Sequence, residues 1–281
     1  MTGNEGTGRI WAYTVSGTWA AWNEGFPADV ARALDPNAFR WQPVAYPASF
    51  GPVPPASSPT LPSYAESVRQ GVTELIRLIN LNAGPFVLIG YSQGAEVTSR
   101  VLLEIQHGQL AHRQQDLLGG VTFGNPCRQS GHTWPGDTLS GHGIAALRIA
   151  NTPPRWNDYA HGGDLYACVP DGQAGDNCTA VYQAVTQLQI HDPVQLIEEM
   201  LTAFSGKGGL GEQLWELLTN PFNLTSVFEA IVIATRFATT QPPTLDHINY
   251  DADDVMDGSG RSSLRHAIDH LNALGRQAVA A

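Results

Sequence analysis

The sequence predicts an α/β fold with a central parallel sheet covered on both faces by helices, on three observations. Strand-like runs alternate with amphipathic helical stretches up to about Ala180, the order that parallel strands joined by crossovers require. The run Phe86–Ile89 is continuously apolar, as in a strand buried on both faces. It passes at once into Gly90-Tyr91-Ser92-Gln93-Gly94 and then into a helical pattern. In open parallel sheets ligands bind at the carboxyl ends of the strands. Residues directly after the strands are therefore the first candidates for chemistry.

The elements follow in order. Arg9–Ser16 reads as a strand, Phe26–Leu34 as a helix and Phe39–Tyr46 as the next strand. Pro47–Pro62 is a Pro/Ser-rich loop. Ser63–Asn80 places Val68, Val72, Leu75, Ile76 and Ile79 at helical spacing, which gives one buried stripe. After the third strand, Phe86–Ile89, the helix Ala95–Gln106 puts Val97, Val101 and Ile105 on one face, with Gly108 as its stop. Leu118–Phe123 and Ala146–Ala150 read as further buried strands. From Ala180 to about Thr240 only helical signals remain: Val194–Phe204, Gly211–Leu218 and Leu224–Phe237, separated by Gly and Pro. The expected division is an α/β domain of residues 1–180 and 241–281, with residues 181–240 as an inserted helical linker or lid. Ser262–Leu274 is the last helix, returning to the sheet.

Bulk properties narrow the partners. A chain of 281 residues suits one large α/β domain with an insertion. The net charge of −11 argues against DNA, RNA or anionic lipid head groups as the main partner. It leaves neutral lipid or polysaccharide esters open. The start, Met-Thr-Gly-Asn-Glu-Gly-Thr-Gly, lacks the basic stretch and apolar run of a signal peptide. The longest apolar segment, around Val227–Ala238, is broken by Glu229, Thr235 and Arg236, so no membrane span is expected. The chain reads as a soluble protein made in the cytoplasm, or as one whose export signal has been removed. Cys127, Cys168 and Cys178 form neither a disulfide framework nor a CxxC zinc pair, and a bridge between Cys168 and Cys178 stays open.

Gly90-Tyr91-Ser92-Gln93-Gly94 fits G-x-S-x-G, a short pattern that also occurs by chance. A buried strand before it and an amphipathic helix after it make it specific, because that context defines a nucleophile elbow. The two glycines let backbone and helix pack closely around the turn. The hydroxyl of Ser92 is then presented at the top of the sheet, with the helix N-terminus stabilising a developing oxyanion. An ordinary Gly-rich strand-to-helix turn is the alternative.

A serine nucleophile needs a base and a carboxylate that orients it, and this fold supplies them in the order Ser, acid, His. After Asp164 the available histidines are His191, His247, His266 and His270. His191 heads an apparent helix. His266 and His270 stand i,i+4 on the last helix, with no third metal ligand nearby, and read as a solvated face. His247 lies in a loop just before that helix, where the fold places its histidine. For the acid, Asp164 sits in the Gly-rich turn His161-Gly162-Gly163-Asp164, and Asp158, Asp171 and Asp176 are rivals whose alternative role is loop capping.

These residues resemble the cutinase-like serine esterases. Gly-Tyr-Ser-Gln-Gly, then Gly163-Asp164-Leu165-Tyr166-Ala167-Cys168, then the late His247 carry the likeness. The resemblance implies an α/β-hydrolase fold, Asp164 as the acid, His247 as the base, and Thr18 and Gln93 as the oxyanion donors. It implies no metal and no organic cofactor. Cutinases keep acid and base close in sequence, whereas here they are 83 residues apart. That layout is similar to the lysin B family of mycobacteriophage endolysins, mycolylarabinogalactan esterases. The early Trp11-Ala12-Tyr13 and Ser16-Gly17-Thr18 also suit that family.

The family implies cleavage of the ester linking mycolic acids to arabinogalactan in the mycobacterial envelope, during host lysis. Leu214, Trp215, Leu217, Phe222, Leu224, Phe228 and Ile231 of the insert either provide an apolar surface for the acyl chain or form the insert's own core. A general cutinase or lipase acting on other long-chain esters, a mycolyltransferase and a non-catalytic wall-binding module remain alternatives.

Overall fold

Phe86, Val87, Leu88 and Ile89 are all fully buried, so the strand that carries them, β3 (Phe86–Tyr91), sits at the centre of the sheet. The computed structural model describes residues 8–51, 61–134, 139–186, 244–252 and 259–280. Within them five parallel strands run in the order β2-β1-β3-β4-β5, with β1 at Ile10–Val15, β2 at Phe39–Pro43, β4 at Leu117–Phe123 and β5 at Trp156–Tyr159. The fold is that of an α/β-hydrolase.

Successive residues of a strand point to opposite faces, and the two sides of the sheet are filled accordingly. Phe86 and Leu88 join Leu75, Ile79, Val97, Val101 and Ile105 on one side. These come from α2 (Tyr64–Leu81) and α3 (Gln93–His107). Val87 and Ile89 join Phe26, Val30, Ala267 and Leu271 on the other, from α1 (Gly25–Ala33) and the last helix, Ser263–Ala280. The result is three layers. Helix α2 starts where Ser63 accepts a hydrogen bond from the Glu66 amide at 3.2 Å, one half of a capping box.

One expectation needs correction. Ala146–Ala150 is not a strand of the sheet. Ile149 bridges to Arg128, and its amide donates to the Cys127 carbonyl, so this apolar run is buried against a loop. The place beside β4 belongs to Trp156–Tyr159. The proposed domain boundary at Ala180 falls inside α4 (Gln173–Thr186). Beyond that helix, the expected insert helices, with their apolar residues from Leu214 to Ile231, and His191 lie outside the described residues.

Cys127, Cys168 and Cys178 are all free thiols. Burial pushes each above the ordinary thiol range. Among the described residues no helix is long and apolar enough to cross a membrane.

Leu88 lies between β1 and β4 under α2 and α3 and has no solvent contact. Leu88→Ala is expected to remove about 2–5 kcal/mol of folding stability. Chemical denaturation would read this as a lower midpoint, with the slope of the transition unchanged.

Candidate active site

Ser92 follows β3 directly and stands at the N-terminus of α3. Its φ of 54° and ψ of −120° are a backbone conformation that side chains rarely adopt. Three contacts hold it there. The Ser92 amide donates to the Phe123 carbonyl of β4 at 3.0 Å. A Cβ on Gly94 would stand 2.1 Å from the Val15 carbonyl oxygen, so only glycine lets α3 come this close to β1. A Cβ on Gly90 would meet the Thr98 hydroxyl at 2.6 Å. The turn is thus locked from β1, β4 and its own helix, with the Ser92 hydroxyl at the carboxyl edge of the sheet.

His247 arrives on a four-residue helix, α5 (Leu245–Ile248), rather than in the expected open loop. Its Nε2 is 2.9 Å from Ser92 Oγ. Its Nδ1 is 2.8 and 2.9 Å from the two carboxylate oxygens of Asp164. An ionised carboxylate only accepts, so Nδ1 carries the proton and Nε2 is left to accept from the serine hydroxyl. The imidazole lies between the rings of Tyr91, at 5.1 Å between centroids, and Tyr166, at 4.5 Å. The Tyr91 hydroxyl also donates to the His247 carbonyl at 2.9 Å.

Asp164 comes from the turn after β5 and is fully buried. Besides His247 it accepts from the Tyr166 amide at 2.9 Å and from the Tyr250 hydroxyl at 2.7 Å. The rival Asp158 is engaged elsewhere. It accepts from the Thr122 hydroxyl and from Asn125 Nδ2 at 2.9 Å, near the end of β4. Asp171 accepts from the Ser130 hydroxyl, and Asp176 lies in the first turn of α4.

Thr18 lies in the loop after β1. A Cβ on its neighbour Gly17 would stand 3.3 Å from Ser92 Cβ, so this loop flanks the serine. Gln93 opens α3 and is fully buried. Its side chain accepts from the Ser67 hydroxyl at 2.8 Å and donates to the Ser49 carbonyl at 2.9 Å.

His266 does not face solvent, as the i,i+4 pattern suggested. It is only partly exposed, 3.0 Å from Trp134 Nε1 and 3.0 Å from the Tyr159 hydroxyl. His270 is partly buried, which pulls it below its ordinary range, and it contacts the Arg155 carbonyl at 3.1 Å. Both pack the last helix onto the end of the sheet.

Sequence reasoning missed the tyrosines. Tyr91 was visible inside the motif, and Tyr250 three residues after His247, but apolar periodicity does not mark either as a polar contact. Burial, followed by the charge of Asp164, pushes Tyr166 up to about 12 and raises Tyr91 and Tyr250 above the ordinary phenol range. These phenols therefore stay protonated; the Tyr250 hydroxyl donates to the carboxylate and the Tyr91 hydroxyl to the His247 carbonyl.

The fold that presents these residues is that of the α/β-hydrolases. A family model described as the PE-PPE domain matches residues 37–174. Endolysin B of Mycobacterium phage L5 is 34% identical over 265 residues, covering 85% of this chain and 93% of the relative. Endolysin B of Mycobacterium phage D29 is 39% identical over 185 residues, covering 57% and 66%. The crystal structure of lysin B from Mycobacteriophage D29 superimposes with a TM-score of 0.59 at 26% identity, over 94% of this chain and 99% of that one. The chain belongs to the endolysin B family.

Two outcomes are expected from this geometry. Gly124 has φ +56°, and a Cβ there would stand 2.7 Å from the His247 ring and 2.9 Å from Asp164 Oδ2. Gly124→Ala should separate the pair and abolish the low-field proton resonance of the imidazole Nδ1–H. Burial raises Tyr13, Tyr46, Tyr64, Tyr91, Tyr166, Tyr182 and Tyr250 above the ordinary phenol range. Above the ordinary value of 10.0 the unfolded chain loses phenol protons that the folded chain keeps. Their contribution to stability is therefore full below that pH and lost as pH rises beyond it. Ultraviolet titration should show tyrosinate appearing together with unfolding rather than before it.

Proposed function

We propose that this protein is a serine esterase that cleaves the ester joining mycolic acids to arabinogalactan in the mycobacterial envelope, acting during host lysis. The observation that carries the chemistry is the chain of contacts from Ser92 Oγ through His247 to the buried Asp164. Membership of the endolysin B family supports the substrate and the site of action. So does the placing of two exposed apolar side chains. Trp19 follows Thr18 and Ile248 follows His247, and each is 45% exposed. Trp19 stands on the loop after β1 and Ile248 on α5, the two segments that flank the serine, where a long acyl chain would lie.

Ser92 Oγ attacks the ester carbonyl while His247 Nε2 takes its proton. Asp164 keeps the imidazole in the tautomer that accepts this proton and stabilises the imidazolium that forms. The backbone amides of Gln93 and Thr18 receive the oxyanion, aided by the N-terminus of α3. The imidazolium then protonates the departing sugar oxygen, leaving an acyl-enzyme. Water, deprotonated by His247, attacks the acyl carbon, and the fatty acid and Ser92 are released. All of this uses side chains and backbone of this chain.

Ser92→Ala should lower ester hydrolysis by at least about a thousandfold and abolish labelling by a fluorophosphonate probe. Asp164→Asn should lower it by roughly a hundredfold to ten-thousandfold, whereas Asp158→Asn should leave the rate within about threefold. A Ser92→Ala variant with near-normal rates would overturn the nucleophile. Free mycolic acid released from purified cell walls supports the hydrolase. Mycolate recovered as a new sugar ester would show transfer instead, and cleavage of simple long-chain esters alone would show a general lipase.

A further inference from the structure

Tyr250 is fully buried, and its hydroxyl donates to Asp164 Oδ2 at 2.7 Å. It lies three residues beyond His247, whose Nδ1 is 2.8 Å from the same oxygen. The acid is therefore gripped twice by one short segment, once through the imidazole and once through the phenol. Oδ1 has its own donor in the Tyr166 amide at 2.9 Å. With both oxygens held, the carboxylate cannot turn about its Cβ–Cγ bond away from the imidazole.

Tyr250 is itself fixed. Its ring stacks on His161 at 4.3 Å and 12°, and packs edge-on to Phe26 and Phe123 at 5.8 Å. His161 Nδ1 is 2.8 Å from the Asp246 carbonyl. The turn that bears the acid and the segment that bears the base are thus joined at His161 as well. Burial beside Asp164 holds the phenol in its protonated form, so it remains a donor whenever the carboxylate is charged.

We propose that Tyr250 is a positioning residue of the esterase: its hydroxyl holds the Asp164 carboxylate in the orientation that keeps His247 aimed at Ser92. This rests on the assignment of Ser92, His247 and Asp164 made above. The hydroxyl touches neither substrate nor Ser92. Its effect passes through Asp164 to the imidazole and is felt in the chemical step rather than in substrate binding.

The test is Tyr250→Phe, which keeps the ring and removes one oxygen. With a soluble short-chain ester, kcat should fall about ten- to a hundredfold with KM within about twofold. The rate of fluorophosphonate labelling should fall by a similar factor. Tyr159→Phe is the control. It removes another buried hydroxyl, one that contacts His266 rather than Asp164, and should leave both rates within about twofold. Should Tyr250→Phe not fold, 3-fluorotyrosine at position 250 keeps ring and hydroxyl and makes the phenol more acidic. It strengthens the donor to Asp164 Oδ2 and, because the imidazole shares that oxygen, should shift the low-field imidazole Nδ1–H resonance while the carboxylate stays held. Wild-type rates in Tyr250→Phe overturn the proposal, as do an unshifted Nδ1–H resonance in the 3-fluorotyrosine variant and an equal loss of rate in Tyr159→Phe. Ser92→Ala separates the two layers of the argument. If that variant stays active, the underlying triad is wrong. If it is dead while Tyr250→Phe is normal, only the role of Tyr250 is wrong.

Discussion

A carboxylate with no access to water organises the carboxyl end of this sheet. Asp164 is fully buried, and an ion in that position is tolerated only where donors surround it. They come from three places in the chain: the Tyr166 amide, the His247 imidazole and the Tyr250 hydroxyl. Satisfying one buried charge therefore forces the turn after β5 and the segment of α5 to close on each other. That closure leaves Nε2 of the imidazole 2.9 Å from Ser92 Oγ. Satisfying the buried charge and aiming the imidazole at Ser92 are one requirement.

The serine side of the contact is built by a different force. The Ser92 backbone conformation costs about 1–3 kcal/mol wherever it occurs, so the surroundings must determine it. They do so by exclusion and by anchoring. Gly94 leaves no space between α3 and the Val15 carbonyl. The buried Gln93 side chain ties the start of α3 to Ser49 and Ser67, one in the loop after β2 and one in α2. Strain is held at Ser92 and charge at Asp164, and the imidazole between two tyrosine rings connects them.

Much of the layered fold was legible because it is written in apolar spacing. Val97, Val101 and Ile105 recur at helical intervals and are all fully buried. β5 escaped for the opposite reason. Two of its four residues are Asn157 and Asp158, and Asp158 is buried through hydrogen bonds rather than apolar contact. The apolar run Ala146–Ala150 then took its place, since a buried loop and a buried strand share a composition. The candidate site divides in the same way. Ser92 is marked by its immediate neighbours, a strand before and a helix after. Asp164 and His247 are 83 residues apart and follow only from chain order and resemblance. Tyr250 carries no local mark, because its role depends on which carboxylate its hydroxyl reaches. The inward packing of His266 was hidden for a similar reason: its partners Trp134 and Tyr159 lie far along the chain.

The three cysteines lead to a separate conclusion. None is bridged, and burial holds each thiol in its protonated, slow-reacting form. No covalent staple contributes to the architecture, so glutathione has nothing to reduce and mild oxidants find little thiolate to attack. The described fold is thus held by packing and polar satisfaction, with no bridge among these three cysteines to depend on. A change to reducing surroundings breaks no covalent link among them.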